Sequence, residues 1–226
     1  MARLSYPRAG EPRPEPLPPE TRTVGQLVAE SIRLYGHRFW RALPLGVGVA
    51  VMNQISANHG ANVQSIILWA AAPVLAASYV GASVLLAQER PPARVLVLAV
   101  AAGTAVFLPV PILLRLYLLP AIGWLAFAGL TVPVVVIERL SPLDAFRRAR
   151  KLALVDYIHA LGSLATLALV YFLSRAVLLF LLRSQADTAV RTAALLADLA
   201  LAPLLFLGAA LLYVDQSARA AARAAR

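Results

Sequence analysis

Cysteine is absent from the 226-residue chain, which excludes disulfides and thiolate metal sites. Charge is scarce: 14% of residues are Asp, Glu, Lys or Arg, against about 25% in soluble domains. Lysine occurs once and histidine three times. The chain opens without the apolar core of a signal peptide. Residues 1–22 instead hold six prolines (Pro7, Pro12, Pro14, Pro16, Pro18 and Pro19), which predicts a disordered, extended cytoplasmic tail. What is abundant is apolar: 60% hydrophobic residues and a mean hydropathy of +0.73, a membrane composition in one unit of ordinary domain length. The net charge of +10 comes almost wholly from arginine, an always-charged planar donor suited to phosphate oxygens. These arginines fall between apolar spans rather than on a soluble fold with interleaved aromatics. That favours a membrane surface over nucleic acid as the partner.

A hydrocarbon core about 30 Å thick takes roughly 20 apolar residues in a helix. Six segments qualify, near 40–57, 65–87, 95–114, 120–137, 157–182 and 191–214. Asn53, Gln54 and Ser56 make the end of the first polar, and Arg115 and Pro120 mark the turn inside the long apolar run from Val95 to Ile137. The expected fold is an all-α membrane bundle over 23–216, with six spans, two interfacial amphipathic helices and a basic tail at 217–226. Six spans put both ends on one side. That side carries 17 of the basic residues and the other three (Arg115, Arg183 and Arg191), with Arg175 inside a span. The asymmetry predicts cytoplasmic termini in a bacterial-type inner membrane.

The stretch from Pro133 to Leu152 passes abruptly from apolar to basic. Glu138 is placed where the fourth span reaches water. Ser141 is placed to cap a helix, with Pro142 in its first turn and Asp144 at its third position. Leu143, Phe146, Ala149 and Ala153 recur at helical spacing opposite Arg147, Arg148, Arg150 and Lys151. This predicts an amphipathic helix on the inner leaflet, Leu143 and Phe146 among acyl chains, and an Asp144–Arg148 pair. Thr23 and Gln26 form a similar capping box, followed by Val24, Val28, Ile32, Tyr35 and Phe39. Aligning Thr23 with Ser141 sets Val28 over Phe146, Leu34 over Leu152 and Phe39 over Tyr157, an internal repeat offset by 118 residues.

Pro133, Glu138, Ala145, Arg148 and Leu152, with Thr23-Val-Gly-Gln-Leu-Val at one end and Leu212-Tyr-Val-Asp-Gln-Ser-Ala-Arg219 at the other, resemble a known pattern. It is that of the integral membrane domains found with glycerophosphoryl diester phosphodiesterases and their stand-alone relatives. Ala149 stands where that family usually has Ser. The resemblance implies a membrane fold without hydrolysis, because activity in such fusions belongs to a separate soluble barrel.

Inside the spans, Arg175 and Asp198 both lie about 24–26 Å from the cytoplasmic boundary at 1.5 Å per residue. A structural pair between them is expected, with a gate or substrate contact as the functional alternative. Asp156 and His159 read as a capped interfacial histidine, since His37 and His59 are too distant in sequence to complete a metal site. Glu138 reads as an interfacial carboxylate pairing with Arg139 or Arg148. Ser163 has no histidine in reach, so nucleophilic catalysis has no basis. No cofactor or metal is expected. The residues predict a non-enzymatic protein engaging anionic membrane lipid or a partner protein through Arg147, Arg148, Arg150 and Lys151. The alternative is a transporter or lipid-moving protein.

Overall fold

Thr23 starts the first long helix as its spacing predicts. Its hydroxyl accepts from the Gln26 N–H, and the Gln26 side chain takes the Thr23 N–H at 2.8 Å, opening α1 (Val24–His37) with a complete capping box. The structure, a computed structural model, describes residues 18–225 and has no strand among them. After α1 come α2 (Phe39–Ala42), a 3-10 turn (Leu43–Gly46), α3 (Val47–Ser56), α4 (Ala61–Leu86) and α5 (Ala93–Phe107). The chain continues with α6 (Val110–Leu116), α7 (Leu118–Ala128), α8 (Thr131–Glu138), α9 (Pro142–Ala153), α10 (Tyr157–Leu181) and α11 (Asp187–Ala224).

Five stretches are long and apolar enough to cross a membrane: α4, α5 with α6, α7 with α8, α10 and α11. The segment expected at 40–57 is not one continuous helix, because Pro44 and Gly46 break it into α2, the 3-10 turn and α3. It still runs the length of the bundle. Arg38, at its start, donates to the Leu85 carbonyl at the end of α4, and Gln54, near its end, donates to the Arg191 carbonyl near the start of α11 at 2.7 Å.

The close approach of this segment to α11 has a backbone reason. Pro203 inside α11 lacks an N–H, which leaves the Leu199 carbonyl without its helical partner. Gly46 comes against α11 at that carbonyl, and a Cβ there would overlap it. The break between α5 and α6 likewise frees carbonyls in an apolar setting, where an unsatisfied group is costly. The indoles of Trp124 and Trp69 donate to the Val106 and Leu108 carbonyls, each at 2.8 Å.

Packing centres on α11, which lies against α1, α3, α4 and α10, while α8 is enclosed by α4, α5 and α9. Both ends of the described chain meet at one end of the bundle, where Arg22 reaches Asp215 at 2.5 Å. The expected tail at 1–22 falls outside the described residues through residue 17; Pro19–Thr21 form a 3-10 turn and Arg22 is buried. α11 continues through residues 217–224.

The buried stripe of α1 differs from the expected one. Leu27, Val28 and Ser31 are buried, whereas Ile32 and Phe39 are exposed. This places the buried positions of α1 and α9 in the same register 118 apart, Leu27 over Ala145 and Ser31 over Ala149. The packing does not repeat: α1 rests on α10 and α11, and α9 on α7 and α8.

Substituting Gly46→Ala forces α3 and α11 apart, with an expected cost of about 1–3 kcal/mol. Gly25→Ala, whose added Cβ meets nothing within 4 Å, is expected to cost nothing. Thermal unfolding in detergent measures both.

Candidate functional site

The orientation of α9 is explained by its local sequence. Ser141 caps the helix, accepting from the Asp144 N–H at 3.3 Å. Ala145, Ala149, Leu152 and Ala153 are buried against the bundle. Phe146 lies edge-on to Phe127 of α7, with ring centroids 6.4 Å apart. Phe146 is half-buried beside that ring, whereas Leu143 is exposed. The small buried side chains let α9 lie directly on α8, which turns its basic face outward. The expected Asp144–Arg148 pair does not form. Asp144 meets Arg147 at 3.5 Å, and Arg148 reaches back to Glu138 at 3.3 Å. Arg150 and Lys151 are exposed and have no acidic partner among the described residues.

Glu138, the last residue of α8, joins three elements. It receives Arg148 from α9 and the Tyr213 hydroxyl from α11 at 2.9 Å. Arg139 turns away because it adopts the left-handed conformation, φ 57°, that ends α8, and it pairs with Glu89 at 2.7 Å. The five motif positions thus form one corner. Pro133 is buried in α8, Ala145 and Leu152 seat α9 on the bundle, and Glu138 and Arg148 tie the two helices across the turn.

At the opposite end, Arg175 Nε donates to Asp198 Oδ1 at 2.9 Å. Asp198 is fully buried, and Tyr171 donates to the same oxygen at 2.7 Å. Asn53, from the broken first segment, donates to Oδ2 at 2.9 Å. The carboxylate is thus satisfied from α3 and α10 together. Asn53, Tyr171 and Arg175 also line a largely apolar cavity of about 330 Å³.

A second polar cluster escapes the sequence reading. Asp215 is fully buried and paired with Arg22, and His159 Nε2 lies 3.8 Å from its other oxygen. Arg219 reaches Asp156 at 2.6 Å and the Arg22 carbonyl at 2.6 Å. Asp156 itself caps α10, accepting from the His159 N–H at 3.1 Å. The signal available was the recurrence Asp215 and Arg219 on one helix face, four apart. Its partner Arg22, however, sits beside the Pro-rich stretch and reads as tail. Ser163 is buried and without a hydrogen-bond partner. Among the described residues no three His, Asp or Glu side chains gather as a metal-ligand set.

Comparison with protein-family models, with curated proteins and with solved structures finds no match for this chain.

Arg175→Gln leaves Asp198 buried without its counter-charge and is expected to cost about 3–5 kcal/mol. Adding Asp198→Asn removes the stranded charge and should return most of that stability. A double variant no more stable than the single one, in thermal unfolding, contradicts the pairing.

Proposed function

We propose that this is a non-enzymatic integral membrane protein that engages anionic lipid headgroups at its basic end, with that end and both termini cytoplasmic in a bacterial-type inner membrane. The observation that carries the reading is α9. Its small-residue face is locked onto the bundle while Arg147, Arg150 and Lys151 are exposed and Arg148, reaching back to Glu138, stays partly exposed. A rigid helix presenting guanidinium groups spends little conformational freedom on binding phosphate oxygens. Arg150 and Lys151 contribute most, because Arg147 and Arg148 each already face a carboxylate. The same reading takes the chain as a relative of the phosphodiesterase-associated membrane domains, through the corner made by Glu138 and Arg148.

The cavity beside Arg175 favours a second reading, a lipid-moving or transporting protein, since an apolar chamber inside a bundle is where a substrate would pause.

Replacing Arg147, Arg148, Arg150 and Lys151 with Gln tests the first reading by flotation of the amphipol-held protein with phosphatidylglycerol vesicles. At roughly 1 kcal/mol per basic residue near an anionic surface, binding is expected to fall at least about tenfold. Unchanged binding removes the reading. Wild-type protein that ignores the vesicles but retains an acidic protein would make α9 a protein-docking face instead.

A further inference from the structure

We propose a second lipid site, separate from α9: the cavity beside Arg175 holds one acyl chain of a lipid whose headgroup carries a single negative charge, with the headgroup oxygens on the Arg175 guanidinium. The cavity, about 330 Å³, falls in the range of about 300–1,000 Å³ typical of small-molecule sites. Its wall is mostly hydrocarbon: the Tyr79 hydroxyl is committed to the Ala209 carbonyl, and the other polar side chains, Asn53, Tyr171 and Arg175, come together at one place. That is the layout of an amphiphile site, apolar along its length and polar at one point.

Three observations select the occupant. Lining residues Leu114, Leu118 and Phe172 are 40%, 43% and 49% exposed, so the chamber opens sideways between the α6–α7 turn and α10. These helices are membrane-crossing stretches, so what enters by that side comes from the bilayer. Next, Arg175 is held by its Nε alone, and neither Nη has a protein partner among the described residues, although the side chain is 30% exposed. Two parallel donors are therefore left for two oxygens of a carboxylate or phosphodiester. Finally, Asp198 already balances the guanidinium charge, which disfavours a doubly charged headgroup. Asp198 is fully buried behind Arg175, Tyr171 and Asn53, so an ammonium group finds no accessible carboxylate here. A monoanionic lipid fits; zwitterionic and dianionic ones fit less well.

The site does not depend on α9, so the four-Gln variant of that helix should leave it intact. The test uses the full chain in nanodiscs of phosphatidylethanolamine and phosphatidylglycerol. A trace of phosphatidylglycerol with a diazirine in one acyl chain is added, and the labelled residues are located by peptide mass spectrometry after photolysis. Label is expected inside the cavity, on Ile122, Leu164 and Ala168, and competed by unlabelled phosphatidylglycerol. The Arg175→Gln/Asp198→Asn double variant, which leaves no stranded charge, should reduce it at least about fivefold through loss of the charge-assisted contact. Ala168→Phe, which keeps the ion pair and fills the chamber, should reduce it similarly. Label confined to the outward Leu169 and Leu173, equal cavity labelling in both variants, or equal labelling by the phosphatidylcholine analogue would each overturn the proposal.

Discussion

Two carboxylates buried on one helix govern how the bundle closes. Asp198 and Asp215 are both fully buried on α11, and their separation of 17 residues is about 25 Å along its axis. A carboxylate in such surroundings demands a counter-charge, since desolvation is repaid only by close, well-hydrogen-bonded pairing. Each receives one arginine from a different part of the chain. Arg175 comes from α10, and Arg22 comes from the residue before the cap of α1. The central helix is thereby pinned in depth at two levels, and the beginning and end of the described chain are brought together.

Around Asp198 the packing meets each polar group, whereas beside Asp215 one carboxylate oxygen, Gln216 Oε1, Ser217 Oγ and Arg219 Nε are buried without a hydrogen-bond partner. Pro203 frees a carbonyl on α11, and the first segment breaks at Gly46 where it approaches that point. Further along the same segment Asn53 reaches Asp198. Arg175 meets Asp198 through Nε and also lines the cavity. At the other end, Glu138 gathers Arg148 and Tyr213, which fixes α9 and commits its remaining cations to the surface. Lipid engagement is thus proposed at both ends, from arginines that the fold orients but does not consume.

How much of this was readable depended on the range of the interaction. Apolar runs set by bilayer thickness stand out in composition, and five of the six expected segments are long apolar stretches. The caps at Thr23 and Ser141 were readable because a cap spans three residues. Equal depth of Arg175 and Asp198 followed from counting along a hairpin. The contact of Asn53 with Asp198 bridges 145 positions and had no local signature. Neither had the pairing of Arg22 with Asp215 across 193 positions. Periodicity identifies an apolar face, but not how protein and lipid share it: Phe146 is half-buried, edge-on to Phe127.

The basic end is proposed to face the cytoplasm, where anionic headgroups would meet α9. Because the chain has no cysteine, single-cysteine labelling of intact cells with a membrane-impermeant maleimide tests it without background. Ser184→Cys, in the exposed loop between α10 and α11, is predicted to react from outside. Ala224→Cys, at the exposed end of α11, is predicted to react only after the cells are opened. The reverse pattern would place the basic end outside and contradict the account.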